Sequence, residues 1–315
     1  MRIGEGLYNK FELFHAQLES NQLYMTPSQL RTFIAVVQHK SVSRAADALF
    51  VSQAAVSSVL SSLQAELGVA LIARDGRNII ITGAGQVLFD RATEIVGLLG
   101  DAARATREAG QKARLTLRVG AVTTVAEFLL PAWIRSFLAA ESDFDVALEV
   151  GNRDRVFDLL ASRQVDIVIA GRPSNPGAFT SVASRSHNLV LIGSAAAGVE
   201  TDPTRATWLL REEGSGSRLS TMEVISATGL EVPTMTIGSN VAILQAVNLG
   251  LGIALVSSDS MIGQSFNLDV REIPLPTLPL AKQWHLAVRR GNETQPAIQA
   301  FISHLARSSE ISISS

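Results

Sequence analysis

Apolar and polar positions alternate in two different ways along the chain. From Met25 to about Gly68 apolar residues recur at helical spacing, a stretch rich in arginine, glycine and isoleucine follows to Gly85, and a helical run continues to about Ala113. From Leu115 onwards, short β-forming runs alternate with helical ones; the runs include LTLRVGAV, VALEV, VDIVIAG and WHLAVRR. This alternation predicts a parallel sheet with helices on its faces.

The segment SRAADALFVSQAAVSSVLSSL has the pattern of two helices joined by a tight turn. Ala46 is small where the second helix has to cross closely, and Ser52 is placed to cap that helix. We expect Leu49 and Val51 to fill the angle between the two helices. The apolar positions that periodicity turns inward on the second helix are Val56, Val59 and Leu63.

Polar residues near the start of the second helix then face outward. Gln53 has an amide that can pair with adenine, and the hydroxyl groups of Ser57 and Ser58 can bond to bases or phosphates. This is how the first turn of a recognition helix meets DNA. An ordinary helical hairpin with a serine-rich solvent face has the same pattern, and it remains the alternative.

A β-hairpin signal follows the two helices. The run LGVALIARDGRNIIITGAG contains two β-like pieces around the turn dipeptide Asp75-Gly76, which Arg74 and Arg77 flank. Two arginines at a tight turn suit contact with phosphate or with the minor groove, and a solvated surface turn is the alternative. Between residues 25 and 85 five basic and three acidic residues leave a net charge of +2. We therefore expect affinity for DNA to depend on dimerisation.

The helical run after the hairpin carries a heptad pattern. Its d and a positions cover about three heptads, and a helix packed against its own domain is the alternative. The d positions are Leu88, Ile95, Ala102 and Ala109, and the a positions are Ala92, Leu99 and Thr106.

Composition narrows the class of protein. The 315 residues carry a net charge of -2, so any DNA binding has to be local, and 47% hydrophobic residues with 18% charged ones are typical of globular domains. Without cysteine the chain can form no disulfide, thiolate nucleophile or cysteine-ligated zinc site. The N-terminal residues lack the apolar core of a secretory signal, and no apolar run is long enough to span a membrane. A cytoplasmic protein is expected.

The N-terminal part resembles the LysR-type family of transcriptional regulators. The stretch QLRTFIAVVQHKSVSRAADALFVSQAAVSSVLSSLQAELGVALIARDGRNIIITGAG follows that family's signature, with departures at Ala54, Ser58 and Gln64. The resemblance implies a homodimer on operator DNA, assembled through the linker helix, with a tetramer expected and RNA polymerase as a candidate partner. The implied DNA-binding residues are Ser43, Ser52, Gln53, Ala55, Ser57, Ser58, Arg74 and Arg77.

The resemblance also implies the fold class and the domain bounds. We expect an α+β multidomain chain with a winged helix-turn-helix at 25–85, a dimerising linker helix at 86–113 and an α/β effector-binding domain at 114–308 of the type II periplasmic-binding-protein kind. Residues 1–24 form an extension to which the composition assigns no role. The effector-binding domain is expected to have two subdomains, one at about 114–172 and 276–308 and the other at about 173–275.

Three strand-to-helix transitions of the C-terminal part carry hydroxyl and amide side chains. Free backbone N–H groups converge with these side chains as at anion-binding helix N-termini, although each transition alone is also an ordinary helix cap. With the resemblance, they favour a small carboxylate, phosphate or sulfate-type effector, while Val122 stands where the family often has a hydroxyl. The candidate effector-binding residues are Thr123, Thr124, Asn152, Ser215, Ser217, Ser239 and Asn240. The segments Gly171–Pro173 and GSN resemble the branch that contains Calvin-cycle and sulfur or nitrogen assimilation regulators.

Other classes of protein fit less well. An enzyme is not expected, because the chain has no GxSxG, P-loop or HExxH motif and its five histidines are scattered, and no cofactor or metal is implied. A free solute-binding protein of the periplasmic-binding type would have a signal peptide and no DNA-binding head. A protein that merely dimerises would leave the arginines of the hairpin without a role.

Overall fold

The computed structural model describes residues 25–75, 78–110, 114–173, 177–196, 198–229, 231–261 and 268–314. The expected extension at 1–24 therefore lies outside the described residues. The chain forms two compact units, which divide between Asp101 and Ala102 inside one long helix.

The first unit contains four described helices and a two-stranded hairpin. Their bounds are α1 (Pro27–His39), α2 (Val42–Leu49), α3 (Gln53–Leu67), β1 (Ile72–Asp75), β2 (Asn78–Ile81) and α4 (Gly83–Gly110). The strands are antiparallel, with Ile72 opposite Ile81. The side chain of Arg74 on β1 and the whole of Arg77 lie outside what the structure describes.

The apolar periodicity of the first unit is confirmed in its core. Val56 and Leu63 are buried and Val59 is half-buried, all three packed with helices α1 and α2, and Ala46 is buried where α2 meets α3. The predicted cap is also confirmed, because Ser52 Oγ accepts the backbone N–H of Ala55 at 3.2 Å.

The prediction that Val51 fills the angle between the helices is wrong. Its side chain is 48% exposed, whereas Leu49 is half-buried against the core. Phe50 explains the difference, because its left-handed backbone (φ 56°) ends α2 and turns the chain outward before α3 begins.

The second unit is a mixed α/β domain. Its elements are β3 (Leu115–Val122), α5 (Thr123–Phe128), α6 (Leu130–Ala140), β4 (Phe144–Gly151), α7 (Arg153–Ala161), β5 (Ile167–Ala170), β6 (Phe179–Ser194), β7 (Trp208–Leu210), α8 (Gly216–Thr228), β8 (Thr234–Thr236), α9 (Asn240–Asn248), β9 (Ala254–Ser257), a 3-10 turn (Ser258–Met261), β10 (Val270–Glu272), β11 (Leu280–Arg289), α10 (Pro296–Arg307) and β12 (Ser312–Ile313).

The prediction of a parallel sheet is only partly correct. β3 pairs in parallel with β4 and β5, and β7 pairs in parallel with β8. The main sheet has the strand order β10-β6-β11-β5-β3-β4, and β9 and β12 also pair with β6. Its remaining strand pairs are antiparallel. Periodicity predicts strands but not their direction, and the two long strands β6 and β11 run antiparallel because the chain crosses twice between the halves of the domain.

The helical run between the predicted strands LTLRVGAV and VALEV forms two helices. α5 ends at Phe128 and α6 begins at Leu130, with Pro131 in its first turn. Proline has no N–H with which to continue the hydrogen-bond ladder of the preceding helix, so a new helix begins there. The first of the two, the short helix α5, starts directly at Thr123, at the carboxyl end of β3.

The core of the second unit lies on both faces of the main sheet. One cluster packs β3, β5 and β11 against α6 and α10, with Trp133, Phe137 and Phe301 at its centre. A separate cluster around Trp208 and Ile225 supports β7, β9 and α8. Two packed halves thus meet along β6 and β11, and this arrangement leaves a crevice between them.

Among the described residues no single helix is long and apolar enough to cross a membrane. The bent pair α2 and α3 reaches the required length and composition only jointly, across a 110° bend. The same residues contain no group of three or more histidine, cysteine, aspartate or glutamate side chains that could hold a metal ion.

We expect Gly85→Ala to destabilise the first unit. A Cβ atom at Gly85 would lie 1.9 Å from the carbonyl oxygen of Leu71, which is backbone and cannot move aside without disturbing the hairpin. The free energy of unfolding in urea should fall by about 1–3 kcal/mol. Gly100→Ala is the matched control, because it meets no atom within 4 Å and removes a helical glycine, so its stability should rise by up to about 1 kcal/mol. Equal stability of the two variants would contradict the prediction.

Candidate functional site

The outward face of the two short helices brings several predicted DNA-binding residues together. Gln53 Nε2 donates to Ser43 Oγ at 2.9 Å, so the first residue of α3 is tied to the first turn of α2. The structure leaves the remaining predicted residues of this helix start exposed; they are Ser52, Ala55, Ser57 and Ser58. We call this set, with Gln53 and Ser43, the helix face.

A crevice of about 760 Å³ opens in the second unit. Six of the seven candidate effector-binding residues line it: Thr123, Thr124, Asn152, Ser215, Ser217 and Asn240. Ser239 is not among the lining residues. Its hydroxyl accepts the backbone N–H of Ala242 at 3.3 Å, so Ser239 caps α9 and is placed as a structural residue.

The two threonines at the start of α5 are hydrogen-bonded to the start of α9. Asn240 Nδ2 donates to Thr124 Oγ1 at 2.9 Å and to Thr123 Oγ1 at 3.1 Å. Arg211 Nη1 donates to Thr123 Oγ1 at 3.0 Å and also to Asn240 Oδ1. These four residues form one network, which we call the threonine cluster.

Arg211 was not among the residues that sequence reasoning selected. It directly follows β7, and only 4% of it is exposed. Glu212 balances its charge with a two-point contact, Nε to Oε2 at 2.7 Å and Nη2 to Oε1 at 2.9 Å. A buried cation requires such a partner. The acidic residue next to Arg211 in the sequence was therefore the signal from which its burial could have been predicted.

Glu127 lies at the edge of the threonine cluster. Burial raises the pKa of its carboxyl group, while a hydrogen bond from Asn240 and the charge of Arg211 lower that pKa. The distance from Asn240 Nδ2 to Glu127 Oε2 is 3.5 Å. The threonine cluster therefore contains one cation and faces two carboxyl groups.

Asn152 and Ser215 lie where α7 and α8 begin. Asn152 Oδ1 accepts the backbone N–H of Arg155 at 3.0 Å, and Asn152 Nδ2 donates to the carbonyl of Glu213 at 3.3 Å. Ser215 Oγ has no cap hydrogen bond and instead lies 2.9 Å from Ser217 Oγ. One of these two serine hydroxyl groups donates to the other, so the pair retains one O–H donor that a ligand could use.

Basic side chains line the crevice in excess. Arg153 donates from Nε and Nη2 to the carbonyl of Arg172 at 3.1 and 2.9 Å. Lys282 lies 3.9 Å from Glu223, the carboxylate that also lines the crevice. Together with Arg211, four cations and one carboxylate line the cavity. Sequence reasoning missed Arg153, Arg172 and Lys282, because basic residues are common at exposed helix starts and strand edges.

His187 and Trp284 are stacked in the wall of the crevice. Their ring centroids are 3.9 Å apart and their planes differ by 4°. Ser257 Oγ lies 3.0 Å from His187 Nδ1, and Trp284 Nε1 donates to Asp259 Oδ2 at 2.8 Å. Burial lowers the pKa of His187 to about 4, so the imidazole is neutral at physiological pH.

Comparison with known proteins agrees with this geometry. The model described as "Bacterial regulatory helix-turn-helix protein, lysR family" matches residues 27–86, and "LysR substrate binding domain" matches residues 110–310. The RuBisCO operon transcriptional regulator of Allochromatium vinosum is 30% identical to this chain, over 89% of it and 95% of the relative.

Solved structures share the fold. Full-length CbnR in complex with its target DNA has a TM-score of 0.56 and 22% identity, and the match covers 90% of this chain and 100% of that one. The regulatory domain of CcmR from Synechocystis PCC6803, solved in complex with 2-PG, has a TM-score of 0.56 and 22% identity over 61% of this chain and 96% of that one.

A helix-turn-helix head followed by a substrate-binding domain with a crevice defines a DNA-binding transcriptional regulator rather than an enzyme. The chain belongs to the LysR family of these regulators. The resemblance read from the sequence, including the branch with Calvin-cycle regulators, is confirmed.

We expect His187 to make the regulator less stable in mild acid. The folded state resists protonation of His187 down to a pKa of about 4, whereas an unfolded chain takes up that proton below 6.5. Stability is therefore lost as the pH falls from 6.5 towards 4, by at most about 3 kcal/mol. His187→Phe, which retains a ring to stack on Trp284, should flatten the dependence of the thermal midpoint on pH in this window.

His285→Gln is the control for the effect of His187. Burial also lowers the pKa of His285. This variant should therefore remove only the contribution of His285 to the change of the thermal midpoint with pH. If the slope of His187→Phe matches that of the unchanged protein, His187 is not the titrating group.

Proposed function

We propose that this regulator binds operator DNA through the helix face and that a small anionic metabolite in the crevice modulates that binding. The observation that carries the proposal is the charge of the crevice, where four cations and one carboxylate surround hydroxyl and amide donors. Such a lining favours an anion over a neutral or cationic ligand.

The helix face supports the DNA half of the proposal. Gln53 is held by Ser43, which leaves its amide oxygen free to accept from the exocyclic amine of adenine. Ser57 and Ser58 add exposed hydroxyl groups one helical turn further on. We assign phosphate or minor-groove contacts to Arg74 and Arg77 because they flank the turn dipeptide Asp75-Gly76 in the sequence.

The first candidate effector is taken from a structural neighbour. The CcmR regulatory domain was solved in complex with 2-PG, and the present chain has the same fold over that region. We therefore place 2-PG, inorganic phosphate, sulfate and small carboxylates in the first set of ligands to be tested.

We further propose that α4 dimerises the regulator. Two of its predicted seam positions, Ile95 and Leu99, are 44% and 43% exposed although they are large and apolar. Burial of this stripe against a second copy would place two helix faces on two half-sites of the operator. From the family we also expect a tetramer and contact with RNA polymerase. The effector would shift the tetramer between conformations that differ in the spacing of the two half-sites.

DNA recognition is tested by fluorescence anisotropy with the intergenic DNA upstream of the gene and a scrambled duplex, over a salt series. We expect tighter binding to the intergenic DNA, and Gln53→Ala should reduce that preference by about tenfold to a hundredfold. The double variant Arg74→Ala and Arg77→Ala should weaken binding to both duplexes. The slope of log affinity against log salt concentration should decrease in magnitude by about one for each phosphate that the arginines no longer neutralise. Equal affinity of the unchanged protein for both duplexes would contradict sequence-specific recognition.

The same assay tests the effector when each ligand of the first set is added. At least one anion should change the affinity for the intergenic DNA. If none does, the modulation by these classes of anion fails while the DNA half of the proposal stands.

Dimerisation is tested by sedimentation equilibrium of Leu99→Asp. A charge at this seam position should convert the dimer to a monomer at micromolar concentration, because a buried aspartate without a partner is strongly unfavourable. Val87→Asp is the matched control, because Val87 lies on the same helix, is 65% exposed and stands outside the stripe. Its dimer should persist, and dissociation of both variants alike would argue against the seam.

A further inference from the structure

The polar groups of the threonine cluster are already paired with one another across the crevice. Thr123 and Thr124 precede β6 in the chain, whereas Arg211 and Asn240 lie between β6 and β11. The network therefore joins the two halves of the domain across the crevice, as does the hydrogen bond from Asn152 Nδ2 to the carbonyl of Glu213. Its members line the same cavity as the remaining effector candidates.

Arg211 is oriented so that one edge of its guanidinium group faces the cluster. Glu212 engages Nε and Nη2, and Nη1 donates to Thr123 and to Asn240 Oδ1. The oxygen of the Asn240 carboxamide thus occupies the acceptor position that this edge offers. The nitrogen of the same carboxamide donates hydrogen bonds to the hydroxyl oxygens of both threonines.

We propose that the Asn240 carboxamide holds the place of a carboxylate of the effector, so that Asn240 competes with the effector instead of binding it. The inference rests on the proposed function, since it takes the crevice as the effector site. A carboxylate has the planar shape and size of a carboxamide. A carboxylate would accept a hydrogen bond from Arg211 that is stronger than the bond to the neutral carboxamide oxygen of asparagine, because both partners are charged. It can also accept hydrogen bonds from both threonine hydroxyl groups.

The surrounding charges favour a carboxylate over a more highly charged anion. Glu212 is paired with Arg211, and Glu127 faces Asn240 Nδ2. A phosphate or sulfate dianion at the place of Asn240 would meet these two carboxyl groups with twice the charge of a carboxylate. A planar monoanionic group is therefore the best replacement at this point of the crevice.

The exchange has a structural consequence. Asn240 is the first residue of α9 and the threonines are the first residues of α5, so displacement of the carboxamide releases the two helix starts from each other. The effector carboxylate would then pair with groups from both halves. Asn240 thus raises the concentration of effector that the regulator needs, because bound effector has to displace it.

The decisive measurement is isothermal titration of full-length Asn240→Ala and of the unchanged regulator with malonate, succinate and 2-PG, and with inorganic phosphate and sulfate as separate arms. We expect the variant to bind the carboxylates about tenfold more tightly, since the competing side chain is absent. Weaker binding by the variant would overturn the inference, because loss of affinity is what removal of a direct effector ligand produces. A larger gain for phosphate or sulfate than for the carboxylates would overturn the assigned ligand class.

Two further variants make the comparison specific. Ser239 caps α9 but does not line the crevice. Ser239→Ala should therefore leave the affinity for carboxylates unchanged, and any change that it causes measures the effect of destabilising the helix. Thr124→Val should weaken carboxylate binding, because it removes a donor that the ligand needs.

Hydrogen exchange of the ligand-free protein tests the contact without any effector. In Asn240→Ala the backbone amides of Thr123–Phe128 should exchange several-fold faster than in the unchanged protein, and in Ser239→Ala they should not. Unchanged exchange at α5 overturns the proposed contact. If no anion binds to either protein, the proposed effector class fails, while the exchange result still decides whether Asn240 holds the two helix starts together.

Discussion

The antiparallel pairing of β6 with β11 is the interaction on which the effector-binding domain depends. These strands pair continuously from Phe179 opposite Arg289 to Leu189 opposite Leu280, with one irregularity, and β5, β9, β10 and β12 attach to them. Because both strands pass from one half of the domain to the other, the halves are held at a common back wall. The stacked His187 and Trp284 belong to that wall. The crevice in front of it is the space that two separately packed cores leave open.

Within the crevice, the polar groups of the threonine cluster already have partners in the protein. A buried guanidinium group such as that of Arg211 is costly unless it is paired, and Glu212 supplies the pairing. The same requirement draws Asn240 onto the threonines, because buried hydroxyl groups also need partners. A ligand-binding site that satisfies its own polar groups when empty is stable, and a ligand has to exchange one set of bonds for another. Under the proposal made for Asn240, regulation by a metabolite is a competition between the Asn240 carboxamide and an acceptor group of the effector.

The DNA-binding head uses local interactions to hold the helix face. Ser52 caps α3 and Phe50 reverses the chain with a left-handed backbone, so the start of the helix is set by residues next to it in the sequence. Gln53 is then oriented by Ser43 of the preceding helix. Ile95 and Leu99 of α4 are exposed although they are large and apolar, and this exposure is the observation behind the proposed pairing of two heads.

The sequence by itself determined the features that depend on near neighbours. The helical periodicity around Val56 and Leu63, the cap at Ser52, the helix starts at Thr123 and Asn240 and the family signature were all readable, because burial of one face and capping follow from residues a few positions apart. The outward turn of Val51 was not predicted, since it depends on the single left-handed backbone angle of Phe50. Only the tertiary structure decided that β6 and β11 are antiparallel, that Ser239 does not line the crevice and that Arg211 joins Thr123 to Asn240. These contacts join residues far apart in the chain, and spacing along a sequence carries no record of which distant groups satisfy each other once they are buried.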